Sequence, residues 1–124
     1  MISEEEIDKF LEHGIKLHRG GSILEAKDYY QKVLNKSPDN SDALNLLGVV
    51  SLHLGDTELA VSLITRALVN SPNNPGFLNN LGQAFQDLGD SITAVTHFQN
   101  ALKFSPENTD VLNNLGITLT NLER

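Results

Sequence analysis

Apolar residues recur at helical spacing in seven runs along this chain, separated by short polar breaks. Ile7, Phe10, Leu11, Gly14 and Leu17 share one face of the first run. It opens on Ser3-Glu4-Glu5-Glu6, a capping box whose acids also suit the positive end of a helix dipole. Arg19-Gly20-Gly21 ends it, and Ser22-Ile23-Leu24-Glu25 is a second capping box. Ala26, Tyr30, Val33 and Leu34 then lie together, up to a stop at Ser37-Pro38, because the residue before proline is pushed out of the α region. The same grammar predicts helices from about Ser41 to Leu54, Glu58 to Asn70, Pro75 to Leu88, from after Gly89-Asp90 to about Phe104, and Thr109 to Asn121. Gly55-Asp56, Ser71-Pro72, Gly89-Asp90 and Ser105-Pro106 are the breaks, and Asn74 and Asn108 are caps. The inward face carries Ala60, Ile64, Ala67 and Leu68 in the fourth run, and Ala94, Phe98, Ala101 and Leu102 in the sixth.

The pattern is periodic. Leu78-Asn79-Asn80-Leu81-Gly82 returns as Leu112-Asn113-Asn114-Leu115-Gly116 and, with one change, as Leu44-Asn45-Leu46-Leu47-Gly48. A worn copy, Phe10-Leu11-Glu12-His13-Gly14, comes first. The glycines at 14, 48, 82 and 116 are each 34 residues apart, as are Ala26, Ala60 and Ala94, and Pro38, Pro72 and Pro106. A glycine on one helix and an alanine 12 residues on, both without bulk, would let an antiparallel pair cross closely while the large residues around them interlock.

These three ladders in phase resemble the tetratricopeptide repeat (TPR) family, whose unit has a large apolar residue, Leu-Gly, an aromatic, two alanines and a proline. In the third unit these are Leu78, Leu81-Gly82, Phe85, Ala94, Phe98, Ala101 and Pro106. The second unit has Ser51 in place of the aromatic, and the first has His13 for the leucine and Val33 for the second alanine. The resemblance covers about residues 7–124 and implies an all-α fold. It would be an α-solenoid of antiparallel helix pairs wound as a right-handed superhelix, with repeats at about 7–40, 41–74 and 75–108 and a partial fourth at 109–124. One domain, residues 1–124, is expected, with each unit stabilised by its neighbour.

The family's concave groove usually takes an extended peptide or a partner helix. Its lining sits six, three and two residues before the glycine and one, four and five after. Transferred here, the first half of that groove is mainly apolar, with Leu11, Ile15, Leu46, Val49 and Leu52, and holds His18, Arg19 and His53. The second half is rich in amides: Asn79, Asn80, Gln83, Gln86, Asn113 and Asn114, with Asn45 ahead of them and Ile117 after. A carboxamide offers donors and an acceptor, so a row of them can pair with a peptide backbone whatever its side chains are. The competing role for these amides is to bond the neighbouring helix or water, and that for Leu46, Val49 and Leu52 is to pack on the first repeat. A chaperone-tail carboxylate clamp is not expected. Its lysine positions hold Leu11 and Gly76, and its arginine position holds Asn80.

Charge narrows the partners. With 9 Lys plus Arg against 16 Asp plus Glu, the net charge is −7, which disfavours a phosphate backbone or an anionic membrane. That balance also sets aside RNA-binding pentatricopeptide repeats. The start, Met1-Ile2-Ser3-Glu4, is acidic where a secretory signal would be basic, and no apolar run approaches the roughly 18 residues of a membrane span. There is no cysteine, which suits a reducing cytoplasm, and with no secretory signal expected Asn35-Lys36-Ser37 counts as a chance glycosylation sequon. His13 and His18 are five apart, off one face, and His53 and His97 fall on other helices, so no metal site, cofactor or catalytic set is expected.

The last helix carries Leu112, Leu115, Leu119 and Leu122 without a second helix to cover them. A piece of a longer protein is the favoured explanation, with self-association through that face as the other. The expected function is a non-catalytic protein-interaction module. The alternatives are the substrate-recognition part of a larger transferase, since the texture is similar to arrays preceding bacterial O-linked N-acetylglucosamine transferase-like enzymes, and a self-assembling scaffold.

Overall fold

A computed structural model describes residues 2–124. It contains seven helices: α1 (Glu4–Arg19), α2 (Ile23–Lys36), α3 (Ser41–His53), α4 (Thr57–Asn70), α5 (Pro75–Asp87), α6 (Ser91–Phe104) and α7 (Thr109–Leu122). The boundaries follow the caps. The side chains of Ser3, Asn40, Asp56, Asn74, Asp90 and Asn108 each accept a hydrogen bond from a backbone N–H in the first turn that follows. Ser22 is the exception. Its side chain makes no capping bond, so the second capping box does not form. In the first box the Ser3 hydroxyl reaches the Glu6 carboxylate at 3.4 Å while also accepting from the Glu6 N–H.

The turn inside each helix pair is tight because Gly21, Gly55 and Gly89 take φ near +86°, between +85° and +89°, where a β-carbon is costly. The following N–H reaches back to a carbonyl five residues earlier, as in Asp56 to Ser51 at 2.8 Å, satisfying the helix end.

Every helix packs on the next in sequence, and α1, α3, α5 and α7 also touch in series, whereas α2, α4 and α6 do not touch one another. A stack crowded on one side and splayed on the other must curve toward the crowded side. The odd-numbered helices therefore form the inner face and the even-numbered ones the outer.

The core is two clusters. The larger runs from Leu11 through Tyr30, Leu44, Val50 and Ile64 to Phe77 and Leu81. The smaller gathers Leu78, Ala94, Phe98, Ala101 and Val111. The repeat glycines allow the close crossing that the spacing suggested, with the Ala60 carbonyl oxygen 3.4 Å from where a Gly48 β-carbon would lie, and a large side chain uses the space. A β-carbon on Gly14 would lie 2.5 Å from Tyr30, one on Gly48 2.6 Å from Ile64, and one on Gly82 2.5 Å from Phe98. The glycine is a recess for the large residue 16 positions on, and the fully buried alanines flank that contact. Gly116 faces nothing within 4 Å. In the first repeat His13 stands in a leucine position and packs on the Tyr29 ring, with centroids 4.6 Å apart.

Candidate peptide-binding groove

Two clefts lie between α1 and α3 on the inner face. One, of about 350 Å³, is walled by Asp8, Glu12 and Asp42 and floored by Leu11 and Asn45. The other, of about 430 Å³, holds His18, Arg19 and His53. Ile15 and Leu46 line both, so the two are one continuous trough. Its centre is aliphatic, one end is acidic and the other carries a guanidinium and two imidazoles. Leu11 and Asn45, expected as ligand contacts, are only 8% exposed and serve as floor. Ile15, Leu46, Val49 and Leu52 are half-buried, while His53, Asn113 and Ile117 are exposed. Leu46 and Leu52 also pack on the main core, so the apolar zone is part wall and part open surface.

Most of the amides are already engaged, Asn113 excepted. The Asn80 side-chain N–H donates to the Asn45 carbonyl oxygen at 3.1 Å, and Asn114 donates to Asn79 at 3.0 Å. Each pair spans 35 residues, one repeat plus one, because the position three before one glycine faces the position two before the next. Leu11 and Leu46 occupy the equivalent places at the first junction. The rungs along the inner face are therefore Leu–Leu, then Asn–Asn, then Asn–Asn. That matching explains why Leu46 can stand in an asparagine position. Gln86 accepts from the Thr118 hydroxyl at 2.9 Å, adding a further link between repeats, and Gln83 donates to Asp87 within α5.

Breaking one rung and replacing it are expected to differ. Asn80→Ala leaves the Asn45 oxygen without its donor at a nearly buried site, at a cost of about 1–3 kcal/mol. The pair Asn45→Leu with Asn80→Leu recreates the first junction and should change stability by less than about 1 kcal/mol. Urea unfolding of the parent chain, Asn80→Ala and the double leucine variant measures both.

The same 35-residue relation brings His18 and His53 together, Nε2 to Nδ1, at 2.7 Å. Considering each helix by itself had placed them apart. Burial, and then the neighbouring His53 ring, hold His18 below the ordinary 6.5. Burial alone lowers His97, whose ring stacks on Phe85 at 5.3 Å and whose Nδ1 is buried without a partner. Both bases bind protons less readily folded than unfolded. The stability tied to them is fully present above pH 6.5 and is lost as pH falls through 6.5 and the lower folded values. The melting temperature is expected to fall between pH 7.5 and 5.5, and His18→Asn with His97→Phe should flatten that slope in circular dichroism melts. Among the described residues no group of three or more His, Asp or Glu is placed to hold a metal ion, and no helix is long and apolar enough to cross a membrane.

Among solved structures, the chain is similar to an O-GlcNAc transferase of Thermobaculum terrenum, at 29% identity and a TM-score of 0.91 over 96% of this chain. It spans only 23% of that protein's length. It is also similar to the first TPR of Spaghetti bound to the HSP90 peptide SRMEEVD, at 20% identity, with a TM-score of 0.90 and coverage of 99% of this chain and 98% of that one. A third similar structure is pilF of Pseudomonas aeruginosa, at 25% identity with a TM-score of 0.90, covering 97% and 55% of the two chains. No curated protein sequence matches. Tetratricopeptide repeat profiles match residues 11–75, more than half of the chain, and residues 63–96. The seven-helix solenoid, its recessed glycines and these matches agree, and the chain belongs to the tetratricopeptide repeat family.

Proposed function

We propose that this chain is a non-catalytic protein-interaction module that binds an extended peptide segment along its inner face. The observation that carries this is the continuous trough between α1 and α3, aliphatic at Ile15 and Leu46 and oppositely charged at its two ends. The segment that fits it has an aliphatic side chain in the middle. A basic residue lies toward Asp8 and Asp42, and an acidic one toward Arg19. Each complementary pair at an exposed rim is worth less than about 1 kcal/mol, so the aliphatic anchor supplies most of the affinity and the charges set direction. The remaining N–H groups of Asn80 and Asn114, with exposed Asn113 beyond them, extend the path to backbone contacts. Cytoplasmic work is proposed with it.

The HSP90 peptide held by the Spaghetti structure supports a peptide as ligand class, but not that ligand, since Leu11, Gly76 and Asn80 stand where clamp cations would be. Titrating a peptide of aliphatic centre with basic and acidic flanks should give saturable binding. It should weaken about tenfold with Leu46→Asp and when the two flanks are exchanged. SRMEEVD should bind no better than a scrambled control. Equal binding of both flank orders would contradict the assignment.

A second reading rests on the resemblance to the Thermobaculum terrenum enzyme: the module would present protein substrates to a transferase. It uses the same trough, so addition of the chain in trans should then competitively slow transfer to a peptide that binds it.

A further inference from the structure

Two imidazoles from different repeats converge at one end of the inner-face trough. His18 Nε2 and His53 Nδ1 lie 2.7 Å apart, with ring centroids 4.8 Å apart and ring planes at 77°. Both rings line the cleft of about 430 Å³ beside Ile15 and Leu46, and His53 is exposed. The helix crossing does not need this pair. The equivalent places at the next two junctions hold Leu52 with Asp87, and Gln86 with Asn121. The histidines are therefore particular to the first junction.

We infer that His18 and His53 form a two-ligand site for a divalent first-row transition ion, of the class of Ni²⁺, Cu²⁺ or Zn²⁺, that ties the first repeat to the second. Imidazole nitrogen suits these ions, whereas Mg²⁺ and Ca²⁺ favour oxygen. At metal–nitrogen bonds of about 2.0–2.1 Å, two ligands of one ion stand about 2.9–3.4 Å apart, from a right angle to a tetrahedral one. The pair needs to open by only a few tenths of an ångström to reach that range, and the exposed His53 ring is free to turn. In the metal-free pair one of the facing nitrogens carries the proton that the other accepts. On binding, that proton moves through water to the outer nitrogen of the same ring, so two neutral rings take the ion without net proton release. His18 lies in the last turn of α1 and His53 ends α3, so both sit at the negative ends of helix dipoles, which favour a cation. The net charge of −7 acts in the same direction. Arg19 lines the cleft too, but it is exposed and its long side chain can turn into water. No further His, Asp or Glu joins the pair among the described residues, so water fills the remaining coordination positions.

The test is calorimetric titration of the intact chain with NiCl₂ in chelator-free buffer. Saturable binding of one ion per chain is expected, with ZnCl₂ giving the same pattern and MgCl₂ none. Affinity should fall at least tenfold with His18→Leu and with His53→Asn. These variants install the residues that later repeats carry at the same places, Leu52 and Asn121, so the fold is retained, which circular dichroism verifies. His13→Asn, on the Tyr29 side of α1, should leave the affinity unchanged. Because the ion binds the folded chain, it should raise the melting temperature of the parent but not of His18→Leu. In the unsubstituted chain, paramagnetic Ni²⁺ should broaden the amide signals around His18 and His53 first. Absence of saturable binding, binding indifferent to both substitutions, or broadening centred elsewhere overturns the inference. Equal binding of Mg²⁺ overturns it by assigning the ions to the acidic surface. One ion per two chains, with a dimer in sedimentation, also overturns it, since a second copy would then complete the site. No peptide is present in the titration, so the result is independent of the proposed peptide binding in the trough.

Discussion

Replacing Phe98 with alanine is expected to destabilise the chain by about 3–5 kcal/mol. Phe98 is fully buried and sits at the centre of the smaller core cluster, touched by residues of α5, α6 and α7. Its ring also fills the Gly82 recess, so removal leaves a cavity that the recessed backbone cannot collapse to close. The cost is comparable with the whole stability of a domain this size, about 5–15 kcal/mol. It should fall unevenly. The larger cluster, from Leu11 to Leu81, has no buried member in common with the one that holds Phe98, and only Leu68 and Phe85 pack against both. Neighbour-coupled repeats open locally. Amide exchange in α6 and α7 should therefore accelerate by orders of magnitude while α1 to α4 keep most of their protection. Uniform acceleration along the chain would mean that the two clusters act as one cooperative unit.

Gly82→Leu should cost about 3 kcal/mol, at the upper end for overpacking, because even its β-carbon would stand 2.5 Å from the Phe98 ring. Gly116→Leu occupies the equivalent position and should instead stabilise the chain by about 0.5–1 kcal/mol. It removes a helix-interior glycine and meets no atom within 4 Å. Opposite signs at two copies of one motif, measured as melting temperatures of the two single variants, separate the recess from helix propensity. If both substitutions destabilise equally, the close approach between helix pairs is not what selects glycine.

Much of this architecture was legible in the residues. Asn40, Asp56, Asn74, Asp90 and Asn108 cap the helices that the breaks predicted, and the 34-residue spacing of Gly14, Gly48 and Gly82 marked the close crossings. The large side chain that enters each glycine's space was not identified from the spacing. Spacing alone identifies which residues lack bulk, but not which large side chain uses the space. Ser22 matched a capping box by type and spacing, yet its side chain makes no capping bond.

The asparagine pairs were legible only as a competing role, bonding to the neighbouring helix, and the His18–His53 pair was missed. Lining positions were assigned helix by helix, and a bond between repeats belongs to two helices at once. Asn45 with Asn80, Asn79 with Asn114 and His18 with His53 are each one repeat plus one residue apart. That offset was visible as like residues paired at the same separation, and Leu11 with Leu46 obeys it too. The asparagines consequently have two roles. One N–H and one oxygen of each pair join repeats, and only the remaining groups can meet a ligand. The opposite charges at the ends of the α1–α3 trough were also present in the sequence, as Asp8, Glu12 and Asp42 against Arg19. They acquire direction only once α1 and α3 lie side by side.

The most direct test of a ligand-binding inner face is backbone amide chemical-shift mapping. The labelled chain is titrated with a peptide of aliphatic centre and charged flanks, selected from a library for binding to the folded protein. Peptide binding in the trough requires the largest saturable shifts at Asp8, Ile15, Arg19, Leu46 and Val49, continuing toward Asn80 and Asn113, with α2, α4 and α6 little changed. Shifts concentrated on those outer helices, with the residues of α1 and α3 unmoved, would contradict it.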